Sequence, residues 1–232
     1  MNQIEFLSDF YLDNMSQVHT VFSVFSMRDF TDCATNPTEF FDRDVAHRYV
    51  FDKYKSWHLY FANFRPKHFF NAVRELPEKR ITGGFNMDRY GSEPAHGAPD
   101  PRQDVIVDQT CFTALQRMSE DLARRKIDFV AVLLPPMPMW LNRYDPNGAR
   151  DRAYRSAVAA HVDPEHTLLI DTAKGLPLDD EHFTDPAHLR WDSVPLLMQY
   201  VIEKMEQAGI TLASITEKTG QASKQRKTNI SG

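Results

Sequence analysis

The chain has 232 residues, 42% apolar and 12% aromatic, which is enough to bury a sizeable core and is not the composition of a disordered protein. A formal net charge of −5 excludes the basic face of a general nucleic-acid binder, so no nucleic-acid partner is expected. Cys33 and Cys111 lack metal-knuckle spacing and are expected as two buried free thiols.

The opening MNQIEFLSDFYLDNM has no basic start and carries Glu5, Asp9 and Asp13, so no secretory leader is expected there. No run reaches the roughly 18 apolar residues of a membrane span, and a soluble chain is expected. Residues 1–76 are rich in phenylalanine and poor in glycine. Spacings such as Tyr54, His58 and Phe61 suit helices, with a break at Pro66. These aromatics read as core residues of a mainly helical segment whose opposite face is solvated. Residues 77–103, including ITGGFNMDRYGSEPAHGAPDPRQ, read as a long loop.

From residue 104 the pattern becomes regular. Cys111, Leu115, Met118 and Leu122 share one helical face, and Arg124, Arg125 and Lys126 suit that helix's C-terminal dipole. IDFVAVLLPP is an apolar, β-branched run stopped by prolines, as in a strand buried on both faces of a parallel sheet. ARDRAYRSAVAAHV predicts a second helix and HTLLIDT a second buried strand. Helix–strand–helix–strand order implies a layered α/β fold with the two strands as parallel neighbours. Asp192 is expected to cap a final helix bearing Val194, Leu197, Met198, Val201, Ile202 and Met205 on its sheet-facing stripe. Residues 1–213 are expected as a single domain, and 214–232, which has no apolar period, as a disordered tail.

Between the second strand and the final helix lies GLPLDDEHFTDPAHLRW. Working residues of open α/β sheets collect beyond the carboxyl ends of the strands, where this loop falls. A carboxylate at Asp185 that accepts one ring N–H of His188 would fix the tautomer and leave the other nitrogen as a base. The plainer reading is a turn, with His188 packed on the helix entry. Asp179, Asp180, Glu181 and His182 crowd the same stretch without standard zinc spacing. Neither a metal nor a cofactor is expected.

FTDPAHLRWDSVPLLMQYV after a strand resembles the last block of SGNH (GDSL-type) hydrolases, where D-x-x-H supplies acid and base. FVAVLLPPMPMWLNRY resembles the preceding strand and aromatic-rich loop of one branch, the proteins of bacterial envelope polysaccharide O-acetylation and D-alanine transfer. More loosely, EFLSDFYLDNM resembles their segment closing the third strand and VFSVFSMRDFTD the helix after it. The resemblance implies a three-layer parallel sheet lacking its first strands. It assigns His188 as general base and Asp185 as its orienter. It further implies a carbohydrate or acyl-ester substrate, a membrane acyltransferase or a missing N-terminal segment as partner, and a periplasmic or cell-envelope location.

The chain departs from the family at the nucleophile. The family serine sits in G-D-S or G-S-S after the first strand, with a glycine and an asparagine completing the oxyanion hole. Ser8 has no neighbouring glycine, and GGFNMD resembles the G-x-N-D block out of order. A pair without its nucleophile retains little acyl-transfer power, so the isolated chain is expected to be nearly inert. The rival expectation is a non-catalytic binding module, and a serine within hydrogen-bond reach of His188 separates the two.

Overall fold

The computed structural model describes residues 2–34, 98–102 and 104–210, with scattered positions between 44 and 74. The chain divides into two compact units, Met1–Glu39 with Gly97–Gly232, and Phe40–His96. The second is described only at scattered positions such as His47 and Phe51, where the Phe51 N–H donates to the His47 carbonyl at 2.8 Å. Tyr54, His58, Phe61, most of the 77–103 loop and the tail lie outside the described residues.

In the first unit α1 spans Asn2–Asn14, β1 Thr20–Phe25, α2 Thr110–Arg124 and β2 Asp128–Leu133. Then follow α3 (Pro138–Tyr144), α4 (Ala149–Ala160), β3 (Thr167–Asp171), β4 (Phe183–Asp185), β5 (His188–Leu189) and α5 (Val194–Gln207). β1, β2 and β3 form one parallel sheet in that order, with Val21 opposite Phe129 and Phe129 opposite Thr167. The expected parallel pairing of the two apolar runs is therefore present.

Alternation along β2 explains the layers, because successive side chains leave opposite faces of a strand. Phe129, Ala131 and Leu133 pack with Leu12 of α1, Leu115 and Leu122 of α2, and Tyr154 and Val158 of α4. Val130 and Val132 pack with Ile170, and with Leu197, Val201 and Met205 of α5. Both faces of the central strand are covered, which is why its sequence is continuously apolar. β3 differs from expectation: only Ile170 is fully buried, as suits an outer strand. Among the described residues no helix is long and apolar enough to cross a membrane.

The N-terminal assignment needs correction. EFLSDFYLDNM is helical and VFSVF is a strand, the reverse of the segments suggested by resemblance. TVFSVF combines β-branched and aromatic residues, which pack well on a pleated surface. Ion pairs between Glu5 and Arg117 and between Asp13 and Arg125 tie α1 to α2. The aromatic-rich loop after β2 contains α3, started by Pro138, whose fixed φ suits a first helical turn. Asp192 is not a helix cap: it lies in a 3₁₀ turn and accepts from Arg190 and Ser193.

Cys33 and Cys111 are not free thiols either. They form a disulfide, with Cα atoms 5.3 Å apart and a sequence separation of 78 residues. Folding brings them together because the chain leaving β1 runs back onto the start of α2. There the Asp108 N–H donates to the Phe30 carbonyl, and the Asp108 carboxylate accepts from the Ala34 N–H at 2.7 Å.

Candidate functional site

Because the three sheet strands are parallel, Ser26, Leu134 and Thr172 leave them at one common edge. Arg155 of α4 organises this edge. Its Nε donates to Asp151 at 2.8 Å, one Nη to Asp171 at 2.6 Å, and the other to the Leu134 carbonyl at 2.7 Å. Burial opposes its charge, but the bonds and fields of Asp151 and Asp171 outweigh that and raise its pKa above the ordinary value. The Thr172 hydroxyl closes the corner by donating to the Leu133 carbonyl at 2.6 Å. These contacts clamp the ends of β2 and β3 to α4.

Asp185 and His188 do not sit at a helix start. They are paired residues of the β4–β5 hairpin, joined by the Pro186–Ala187 turn. Asp185 is 1% exposed, and both carboxylate oxygens lie 2.9 Å from His188 Nδ1. The same carboxylate accepts the Ala187 N–H at 2.8 Å and forms an ion pair with Arg102 at 2.9 Å. Three donors converge on a buried anion, so the carboxylate is held in one orientation. A carboxylate takes Nδ1 as donor, which leaves Nε2 of a neutral ring with a free lone pair. The His188 side chain is 62% exposed, so that lone pair belongs to an accessible ring.

Other residues singled out by sequence have local roles. Asp180 accepts from the Met139 N–H at 2.6 Å, fastening the loop to α3, and His182 Nδ1 lies 3.3 Å from the Asp179 carbonyl. Among the described residues no three acidic, histidine or cysteine groups are arranged to share a metal ion. Ser8 lies in α1, its hydroxyl 3.5 Å from the Met118 sulfur. Ser26 is buried and donates to Asp29 at 2.9 Å. Among the described residues no serine hydroxyl is hydrogen-bonded to the His188 ring.

Sequence reasoning missed Arg102, Ser26 and the Asp151–Arg155–Asp171 cluster. An Asp and an Arg four apart on a helix, with Asp171 closing an apolar strand, was the signal available for that cluster. Arg102 offered none, because its partner Asp185 lies far from it along the chain. The chain matches no protein-family model, no curated protein and no solved structure.

Proposed function

We propose that the chain is an SGNH-like protein of ester chemistry on cell-envelope or exopolysaccharide carbohydrate, carrying the acid–histidine half of an esterase or O-acyltransferase site. His188 is the general base and Asp185 holds its tautomer. The observation behind this reading is the buried Asp185 carboxylate bonded to Nδ1 of an exposed imidazole. A histidine that merely filled space would not need a buried anion behind it. The disulfide agrees with an oxidising compartment such as the envelope.

The second reading is a non-catalytic binding module of the same α/β architecture. It is favoured by the absence, among the described residues, of a serine bonded to His188. Release of nitrophenol from nitrophenyl acetate by the purified chain separates the two. General-base assistance alone is worth ~10²–10⁴-fold over water, so slow turnover is expected, well short of a complete site. His188→Ala should abolish it and Asp185→Ala should weaken it. A wild-type rate equal to that of His188→Ala across pH 5 to 9 would leave the binding-module reading. Fast hydrolysis lost in Ser26→Ala or Ser8→Ala would instead identify a nucleophile within the chain.

A further inference from the structure

The parallel sheet has two edges that differ in charge. At the β3 edge Asp171 is bound by Arg155 and lies 3.7 Å from Lys174, and Glu165 and His166 precede the strand. Charged side chains of this kind keep foreign strands off an edge. β1 carries no charge, proline or glycine, and among the described residues β2 is its only strand neighbour. The Asp128 N–H donates to the His19 carbonyl and the Leu134 N–H to the Phe25 carbonyl, so the odd-numbered residues of β1 turn their amides to β2. Thr20, Phe22 and Val24 therefore turn both main-chain groups outward. Phe22 and Val24 lie opposite Val130 and Val132 and share their face. There the α5 layer covers β2 but leaves Phe22 41% and Val24 38% exposed.

We propose that β1 is a self-association edge, on which a second copy of this chain lays its own β1 antiparallel across a two-fold axis at Phe22. Phe22 then faces the same residue of the other copy, and Thr20 of each copy faces Val24 of the other. In such pairs each residue exchanges both its N–H···O bonds with the one opposite, so none of the outward groups of Thr20, Phe22 and Val24 is left over. The axis stands normal to the sheet, which keeps the faces together. Phe22 and Val24 of both copies therefore form one apolar patch on the α5 side, an aromatic pair flanked by β-branched residues.

Charge and symmetry select the second copy as occupant. The chain carries a net charge of −5, yet Thr20–Phe25 is neutral, so two such strands meet without like charges opposed. A partner recruited by charge finds no counter-charge on this edge. Antiparallel self-pairing closes after two copies, whereas parallel addition of the same strand would leave a new free edge and continue. Strand pairing with one apolar patch buries less than the roughly 1,200–2,000 Å² of a stable interface, so the dimer is a dissociating one. Pairing at β1 involves neither Asp185 nor His188, and it holds whether or not the chain hydrolyses esters.

Sedimentation velocity of the full chain over a concentration series should show a reversible monomer–dimer equilibrium, with Kd between about 10 µM and 1 mM. Phe22→Lys sets two like charges against each other at the axis and should raise Kd at least about tenfold, while His188→Ala should leave it unchanged. Amide exchange gives the signature of the edge. The N–H groups of Phe22 and Val24 should exchange fast in dilute solution and slowly in the dimer, whereas those of Val21 and Ser23, bound to β2, should be protected at both concentrations. A chain that stays monomeric throughout would leave the edge to a different partner and overturn the proposal. So would a dimer that Phe22→Lys does not weaken, or exchange at Phe22 and Val24 that is independent of concentration. The exchange measurement on the unaltered chain decides the matter if Phe22→Lys does not fold.

Discussion

Asp185 and His188 face each other across the turn between β4 and β5, and the carboxylate is buried while the imidazole is exposed. The two partners therefore differ in what they contribute to stability. Asp185→Asn brings an amide N–H₂ toward donors at His188, Ala187 and Arg102, and should cost about 2 kcal/mol. His188→Ala removes an exposed ring and should change stability by no more than about 0.5 kcal/mol. Urea unfolding of both variants checks this, and equal costs would mean that the pair is a structural clip.

Arg155 is the most heavily used side chain at the sheet edge, bonded to Asp151, Asp171 and the Leu134 carbonyl with only 9% exposure. Arg155→Met leaves Asp151 without its counter-charge and Asp171 with only Lys174 at 3.7 Å, and should destabilise the fold by about 3 kcal/mol. A loss below about 1 kcal/mol in equilibrium unfolding would show that water replaces the guanidinium freely.

The Cys33–Cys111 bond closes a long loop that contains the whole of the second unit. On the chain-entropy account, a loop of this length contributes about 4 kcal/mol by restricting the unfolded chain. Reduction, or the Cys33→Ser/Cys111→Ser pair, should lower stability by up to that amount. Two titratable thiols in the unreduced, denatured chain would refute the bond itself.

Asp108 accepts from the Ala34 backbone and from the Thr110 backbone and hydroxyl, and these bonds hold its carboxyl below the ordinary value of 3.8. With the folded-state pKa below the unfolded one, its contribution is fully present above 3.8 and is lost as pH falls through the lower folded value. Asp108→Asn should therefore flatten the fall in stability between about pH 4 and pH 2. Unfolding curves across that range with the same slope in both proteins would contradict it.

Gly175 follows β3, and a Cβ there would come within 2.8 Å of the Tyr200 ring carbons of α5. Gly175→Ala should force the ring aside at a cost of about 1–3 kcal/mol. In a Tyr200→Ala background most of that cost should disappear, a coupling that a double-mutant cycle reads directly. Additive effects would mean that the ring yields without strain.

How much of this was legible in the chain depended on the range of the interaction. The α2 stripe of Cys111, Leu115, Met118 and Leu122 is buried as its spacing implies. β2 and β3 are parallel neighbours as two apolar runs joined by a helix imply. The candidate pair Asp185 and His188 is in contact, three residues being close enough for sequence to place them together. Such features follow from side-chain period and backbone propensity, which act within a few residues.

What sequence alone did not decide depends on partners far along the chain. β4 and β5 are too short for any hydrophobic period to announce them, and each is defined only by pairing with the other. TVFSVF is fixed as a strand by its ladder to β2, residues 128–133. The thiols of Cys33 and Cys111 meet only because the chain leaving β1 returns to the start of α2. Arg102 reaches Asp185, and Arg155 joins Asp171 to Leu134, through contacts with no local signature. The local pattern set α2, β2, α4, β3 and α5 within residues 104–210, while α3 and the β4–β5 hairpin lay in segments that read as loops. Only the tertiary structure determined which charges share a carboxylate, because such pairing depends on position in space.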